Sequence, residues 1–241
     1  MKRSLSVIIT AYNERENLEA TVGVILRSLD GLFEEYELII VDDCSADGTA
    51  EVADCLAARY SRIRVLHHAP NRGFAASYRH GVADARMTHV ALVTGDNEMR
   101  PESVRAIFAA VGTADVVVPY QANQQDRPWV RRTLSHLFTW SVNRLFGLRL
   151  RYFQGPCVYP TALARELPMS TQGFVLLTEM LLRTVKAGHS YAEIPMHIQP
   201  RRYGRSSALS LRNVTTAATI VARLYVELRL WGAIARWTRR G

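Results

Sequence analysis

Acidic residues follow two of the most apolar runs in the first half of this sequence. Asp42 and Asp43 come directly after ELIIV, and Asp96 and Glu98 come shortly after HVALV. Several carboxylates at one edge repel each other unless a cation or hydrogen-bond donors hold them together. Asp96 and Glu98 lie two residues apart, on what we expect to be extended chain, so their side chains point the same way. Such a pair suits Mg²⁺ or Mn²⁺, and the bound ion would suit a diphosphate leaving group.

The elements that position these acids are indicated by five apolar runs in the first half of the chain. Each run is short and has polar residues chiefly at its ends. Runs of this kind fit strands that are buried on both faces, as in a parallel sheet. The segments between them have helical spacing, such as Leu18, Val22 and Ile25 on one face. The succession predicts an α/β fold with a doubly wound, mostly parallel sheet, helices on both faces and a helical C-terminal extension. The runs span residues 5–9, 37–41, 63–66, 89–93 and 115–118.

Polar residues occupy the carboxyl ends of the predicted strands. In a doubly wound sheet the ligand lies beyond those ends, at a switch in strand order. We therefore expect the ligand site there, whereas Asp47 and Gly48 are expected to form only a turn and a helix cap. The strand ends read TAYNE (10–14), VDDCSADGT (41–49), NRG (71–73) and TGDNE (94–98).

Length and composition limit the class of protein. The chain has 241 residues, 48% of them hydrophobic and 22% charged, as in an ordinary globular protein. Its three cysteines are odd in number and match no metal-ligand spacing, so we expect reduced thiols in the cytoplasm. The longest uncharged stretch, 152–164, is shorter than the roughly 17 residues that a membrane-spanning helix needs. We therefore expect no membrane span.

Positive charge is concentrated after residue 126. The net charge is +8, nearly all of it from arginine, and it implies an anionic partner. We find no nucleic-acid-binding module and expect no nucleic-acid partner. Segment 127–151 has an apolar stripe with an arginine edge, so it either lies at a membrane interface or packs its stripe into the core. The tail, with Trp231 and Trp237, fits a peripheral membrane helix, a helix packed on its own domain, or a subunit contact.

The motifs, taken in order, resemble one enzyme family. SVIITAYNERENLEATV, LIIVDDCSADGTAEVA, NRGFAASYRHGVADA and GDNEMRPES are similar to the family 2 glycosyltransferases with the GT-A fold, closest to the dolichol-phosphate mannose synthase or polyprenyl-phosphate glycosyltransferase group. The resemblance extends to GFVLLTEMLLRTVKAGHSYAEIPM and RRYGRSS and so covers nearly the whole chain. It implies an inverting transfer of a hexose from a UDP- or GDP-linked sugar, with Mg²⁺ or Mn²⁺ as cofactor.

The resemblance also implies roles for individual residues. Asp96 and Glu98 would bind the metal, which makes Asp96 a catalytic residue. Glu179, the lone acid in LLTEMLL, is either a general base for a hydroxyl acceptor or a carboxylate paired with a core arginine. The nucleoside would lie against Tyr12, Glu14, Asp42 and Asp43, beside the turn at Arg72 and Gly73, and a loop with Arg201, Tyr203 and Ser206 would close over the phosphates.

Three positions depart from the pattern of the family. Thr94 stands where the metal motif D-x-D has its first acid, and Ser207 stands where a lysine usually follows the loop serine. The stretch Gln154-Gly155-Pro156-Cys157 replaces the S-G-F-R of the mannose synthases. These departures leave the donor sugar and the acceptor open.

The predicted acceptor is a polyprenyl phosphate at the inner face of a membrane, which the enzyme contacts from the cytoplasm. A phosphate monoester has a second pKa of about 6, so it is largely ionised and needs no strong base. A soluble hydroxyl acceptor is the first alternative, and a non-catalytic subunit that binds nucleotide-sugar is the second. We expect a catalytic domain over 1–207, with a nucleotide-binding half (1–120) and an acceptor-side half (121–207). An amphipathic helical tail would span 208–241. Whether the protein forms a homo-oligomer stays open.

Overall fold

A computed structural model describes residues 3–201, 203 and 219–227, and its strands form one mixed sheet. The strand order is β3-β2-β1-β4-β6-β5-β7, with β6 antiparallel to β4 and β5 and the other pairs parallel. The predicted α/β fold with a mostly parallel sheet is confirmed. The strands are β1 (Leu5–Ala11), β2 (Tyr36–Asp42), β3 (Ile63–His67), β4 (His89–Thr94), β5 (Val116–Gln121), β6 (Val158–Pro160) and β7 (Tyr191–Met196).

Helices cover both faces of this sheet, because neighbouring residues of each buried strand point to opposite sides. On β1, Val7 and Ile9 pack under one helical layer and Ile8 packs under the other. The first layer consists of α1 (Arg15–Leu29), α2 (Thr49–Arg59) and α4 (Pro101–Ala109). The second consists of α3 (Phe74–Asp84), α5 (Trp129–Phe146), α6 (Thr161–Glu166) and α7 (Val175–Lys186).

Two strands, β6 and β7, lack the apolar runs that predicted the other five. β6 has only three residues, so it leaves almost no pattern in the sequence. β7 is an edge strand, and its outer residues Tyr191 and Pro195 are exposed, which breaks any continuous apolar run. Both strands are held by pairing with distant parts of the chain rather than by local preference.

The second half of the chain completes the α3 side of the sheet. Val142 and Phe146 of α5 are buried there. Leu137 and Leu145, which belong to the apolar stripe of segment 127–151, are exposed. Residues 219–227 are helical and pack on the same layer through Val221 and Leu224. This part of the predicted tail therefore packs on its own domain, and the rest of 208–241 lies outside the described residues. No helix within the described ranges has the length and hydropathy to cross a membrane.

Gly155 allows the segment before β6 to lie directly against β5. A methyl group at Gly155 would overlap the backbone carbonyl oxygen of Pro119, which has no rotamer by which to move away. We expect Gly155→Ala to lower the free energy of unfolding, measured by urea denaturation, by about 3 kcal/mol. The matched control is Gly23→Ala inside α1, where the nearest atoms belong to the flexible Arg27 side chain. There we expect no loss, since alanine favours helix by about 0.5–1 kcal/mol. Equal stability of the two variants would contradict this packing.

Candidate active site

The loops that follow β1, β2 and β4 meet at one edge of the sheet, because these strands are parallel neighbours. Gly95 donates its N–H to the carbonyl of Thr10, and Asp43 donates to that of Ala11. These bonds hold the three loops side by side. We call the group formed there by Glu14, Asp96, Glu98 and Arg201 the carboxylate cluster.

One guanidinium lies among three carboxylates in this cluster. Arg201 Nη2 is 2.8 Å from Glu14 Oε1 and 3.1 Å from Asp96 Oδ2, and its Nε is 3.3 Å from Glu98 Oε1. Glu14 is buried and the other three side chains are largely so. With all groups ionised, one positive and three negative charges leave a net charge of −2. Arg201 therefore balances only part of the negative charge of these three acids, and the charge of Arg127 acts on Glu98 from outside the cluster.

The acids are held by neighbours on the same loops. The hydroxyl of Thr94 donates to Asp96 Oδ1 at 2.7 Å, which leaves Oδ2 for Arg201. The expectation of extended chain at Asp96 and Glu98 is wrong. β4 ends at Thr94, and Asn97 has a φ of 54°, so the chain turns here. Gln199, in the segment after β7, holds this turn with two hydrogen bonds. Its backbone N–H donates to the carbonyl of Glu98, and its side-chain amide donates to the carbonyl of Asn97. Asp96 and Glu98 converge through that turn.

The cluster shifts the pKa values of its members. Burial raises the pKa of Glu14, and the charge of Asp96 adds to the rise, whereas Asn17 and Arg201 oppose it. Burial and Asp96 likewise raise the pKa of Glu98 against the charges of Arg201 and Arg127. Burial alone would lower the pKa of Arg201, but the three acids raise it, so this residue stays charged. Burial is thus the main cause of the raised pKa values of Glu14 and Glu98, and the charge of Asp96 adds to it.

Asp43 organises the loop between β3 and α3. Its carboxylate accepts the backbone N–H of Arg72 at 2.8 Å and that of Gly73 at 2.7 Å, and it contacts His68 Nδ1 at 2.8 Å. Asp43 therefore supports the loop through both of its oxygens. Its expected contact with the nucleoside stays a prediction. Gly73 has a φ of +82° and open space where a side chain would lie.

His68 and His80 are functional candidates that the sequence reasoning missed. His68 is buried, and its Nε2 lies 3.0 Å from Nδ1 of His80, with the two rings stacked at 5.2 Å. The pair continues the network from Asp43 to α3 and so fixes the 71–73 loop. The polar His67-His68 pair at the end of an apolar run was the signal in the sequence.

The remaining nucleotide-binding candidates lie around the same edge. Asp42 is buried and faces His67 Nδ1 at 3.4 Å, while Tyr12 and Tyr203 are exposed. The carbonyl of Tyr203 accepts a bond from Asn17, beside Glu14. Ser206 lies outside the described residues. Asp47 bonds Thr49 at the start of α2, and Gly48 has a φ of 95°, as expected of a turn and cap.

Glu179 lies apart from the carboxylate cluster and has the environment of a structural carboxylate. It is fully buried and accepts bonds from Ser170 N and Oγ, from Thr171 N, and from Arg183 Nε and Nη2, at 2.7–3.1 Å. Burial tends to raise its pKa, but these hydrogen bonds outweigh burial and lower the pKa. Arg183 also pairs with Glu227. The geometry fits the ion-paired alternative, and a role of Glu179 as general base stays a prediction.

Comparison with known proteins identifies the family. The model for glycosyl transferase family 2 matches residues 6–166 of this chain. The chain belongs to this family. A solved structure shares its fold: glucosyl-3-phosphoglycerate synthase from Mycobacterium tuberculosis, in complex with Mn²⁺, UDP and glucosyl-3-phosphoglycerate, superposes with a TM-score of 0.69. The two chains are 19% identical, and the match covers 92% of this glycosyltransferase and 80% of that chain. The expected GT-A fold is confirmed.

Two curated relatives match this family 2 glycosyltransferase over most of its length. The undecaprenyl-phosphate mannosyltransferase of Micrococcus luteus is 27% identical over 242 residues, 95% of this chain and 94% of that protein. The polyprenol monophosphomannose synthase of Mycolicibacterium smegmatis is 28% identical over 237 residues, 93% and 88% of the two chains. The match extends beyond the sheet, so it includes the segments of α5, α7 and Arg201.

Substitution of Glu179 distinguishes a structural role from a catalytic one. We expect Glu179→Gln to lower the free energy of unfolding at neutral pH by about 3 kcal/mol, because it breaks a buried, hydrogen-bonded pair. The folded pKa is lowered, so the carboxylate stabilises the fold above its ordinary pKa of 4.5 and loses that effect as the pH falls through the folded value. The stability difference from wild type should therefore shrink in acid.

The control is Glu19→Gln, which breaks the exposed pair with Arg59 and should cost less than about 1 kcal/mol. An unchanged free energy of unfolding for Glu179→Gln, together with lost turnover, would restore Glu179 as a general base.

Proposed function

We propose that this glycosyltransferase moves a hexose from a nucleoside-diphosphate sugar to a polyprenyl phosphate, with inversion at the anomeric carbon. The observation that carries the proposal is the carboxylate cluster, whose net negative charge lies at the sheet edge where GT-A folds take their donor. The two curated relatives are named for transfer to, or synthesis on, polyprenyl phosphates, which supports the acceptor class. We place the reaction at the cytoplasmic face of a membrane, where the free thiols of Cys44 and Cys55 would stay reduced.

A divalent cation fits the carboxylate cluster. Asp96 and Glu98 would hold Mg²⁺ or Mn²⁺, which would neutralise the charge that develops on the departing diphosphate. The guanidinium of Arg201 marks a position where these acids stabilise positive charge. Within the described residues no three acids, histidines or cysteines form a ready metal site, so diphosphate oxygens would complete the shell. The solved structure with the same fold contains Mn²⁺ and UDP, which supports a divalent ion as cofactor.

Arg201 would then change partner when the donor binds. Arg201 would be repelled by a divalent ion held by Asp96 and Glu98 and attracted by the diphosphate, so it would turn towards the phosphates. Tyr203, two residues further on, is exposed and free to cover the donor. Tyr12, Glu14 and Asp42 would line the nucleoside, and the loop that Asp43 holds at Arg72 and Gly73 would approach it through its backbone.

The acceptor side favours an anionic nucleophile. A lipid monophosphate is already ionised near neutral pH, its second pKa being about 6, and so needs no general base. A hydroxyl acceptor would need one, and the candidate Glu179 is occupied by five donors of the chain. The charge of Arg127 acts on Glu98, so an arginine stands near the place where an acceptor phosphate would approach. Thr94 replaces the first acid of the metal motif, but its hydroxyl donates to Asp96 and so orients the remaining acid. This contact weighs against the alternative of a non-catalytic subunit.

The test is product detection from a panel of nucleotide-sugars with detergent-solubilised undecaprenyl phosphate. We expect one sugar to be transferred in the presence of Mn²⁺ or Mg²⁺, and no transfer after chelation. Asp96→Asn should lower turnover by about a thousandfold, because it removes a ligand of the cation that stabilises the leaving group. It should also abolish the Mn²⁺-dependent part of UDP or GDP binding in calorimetry.

The matched control is Asp30→Asn, at an exposed position after α1, which should behave as wild type. Metal-independent transfer that is unchanged in Asp96→Asn would contradict the metal role. Transfer to a soluble sugar but to no lipid phosphate would contradict the acceptor.

A further inference from the structure

Helix α5 has two apolar faces rather than one. Val142 and Phe146 are buried against the sheet, as in an ordinary amphipathic helix. Trp129, Trp140 and Leu137 lie on the opposite side, with 72%, 64% and 55% of their surface exposed. With Val130 they fall within an arc of about 100° at 3.6 residues per turn. We call these four residues, Trp129, Val130, Leu137 and Trp140, the outer face of α5.

A solvated helix face would not have this composition. Single exposed apolar side chains are common, but four on one stripe, two of them tryptophans, mark a contact surface. The buried side of the helix already anchors it to the domain, so folding does not require these residues. The outer face is exposed among the residues that the structure describes.

The charges around the outer face define its partner. From Arg127 to Arg165 the chain has seven arginines and neither Asp nor Glu. Arg132 and Arg144 of α5 are exposed, Arg144 within the arc of the apolar stripe and Arg132 about 60° outside it. Arg149 and Arg151 follow the end of the helix. A partner must therefore be both apolar and anionic. A bilayer with anionic headgroups has this chemistry, since tryptophan rings favour the interface and arginines pair with lipid phosphates.

Other occupants fit less well. A second copy of the chain would bring the arginines of one α5 against those of the other, and like charges repel. Residues 228–241 have four arginines and no acid, so they offer no complementary charge. A nucleic acid would pair with the arginines but would leave Val130 and Leu137 without an apolar partner.

The outer face begins beside the carboxylate cluster. Asn123, just before α5, exchanges two hydrogen bonds with Ile198, and the next residue, Gln199, bonds the carbonyl of Glu98. Arg127 is close enough for its charge to oppose the rise that burial causes in the pKa of Glu98. A membrane bound along α5 would therefore lie next to the catalytic edge.

We propose that the outer face of α5 docks on the surface of an anionic lipid bilayer and holds the carboxylate cluster at the level of the lipid phosphates. The link to catalysis rests on the proposed function, because it assumes a lipid acceptor, whereas the docking itself does not. Docking along α5 is peripheral: the two tryptophans enter the interface and the arginines stay among the headgroups.

The experiment is flotation of the full-length protein with vesicles of phosphatidylcholine, alone or mixed with phosphatidylglycerol. We expect flotation with the anionic mixture and a loss of it in high salt. Trp129→Ser/Trp140→Ser should weaken the partition about tenfold or more. The matched control is Tyr60→Ser/Tyr191→Ser, which removes two exposed aromatic rings outside α5 and should float like wild type.

Charge is tested in the same way. Arg132→Glu/Arg144→Glu should abolish the preference for anionic vesicles, while Arg86→Glu/Arg105→Glu, with the same change in net charge, should keep it. Circular dichroism checks that each variant is folded. Equal flotation of the α5 variants and their controls would overturn the docking surface, as would a dimer in sedimentation that only the tryptophan variant disrupts.

Activity separates this inference from the proposed function. The tryptophan variant should transfer sugar to detergent-solubilised acceptor at the wild-type rate, but should lose most transfer to acceptor embedded in anionic vesicles. Wild-type protein that floats but uses no polyprenyl phosphate would contradict the proposed function and leave docking intact. Wild-type protein that uses the lipid acceptor without floating would contradict docking alone.

Discussion

Three carboxylates can lie together at the end of a sheet only if positive charge or hydrogen-bond donors hold them there. In this protein the charge comes from Arg201, which is 187 residues from Glu14 and 105 from Asp96 along the chain. Its single positive charge balances only part of the three negative charges, and burial together with the charge of Asp96 raises the pKa values of Glu14 and Glu98. Charge of the opposite sign favours the ionised form of each acid, so a further cation would add to the effect of Arg201.

The fold explains how so distant an arginine reaches the cluster. Antiparallel β6 separates β4 from β5, and β7 then pairs with β5, so the chain after β7 returns beside the turn after β4. Hydrogen bonds of Gln199 fasten the two segments together two residues before Arg201. Residues from the two halves of the chain therefore build one site on one sheet. The same connection places α5 next to it, so an attachment to lipid along that helix would act on the geometry of the site.

The elements that could be predicted from the sequence are those that a local pattern of residues determines. Buried parallel strands need continuous apolar runs, and all five such runs became strands; β6 and β7, one very short and one at an edge, had no such run. The acids at the strand ends were found because they interrupt those runs. The role of each acidic side chain, however, depends on the residues that it contacts in the folded protein. Asp43 binds the backbone of residues 72 and 73, and Glu179 binds Ser170, Thr171 and Arg183, so residue type alone could not separate support from chemistry.

On the proposed function, Asp96 and Glu98 would hold a divalent ion when the nucleoside-diphosphate sugar binds, and Arg201 would pair with the diphosphate instead. The most direct measurement is a crystal structure with Mn²⁺ and a nucleoside diphosphate, using the anomalous signal to locate the metal. The account predicts manganese bound to both acids and to the diphosphate, with Arg201 turned to the phosphate oxygens. A nucleotide bound at the sheet edge while Arg201 still pairs with Glu14 and Asp96, and no manganese between the acids, would contradict it.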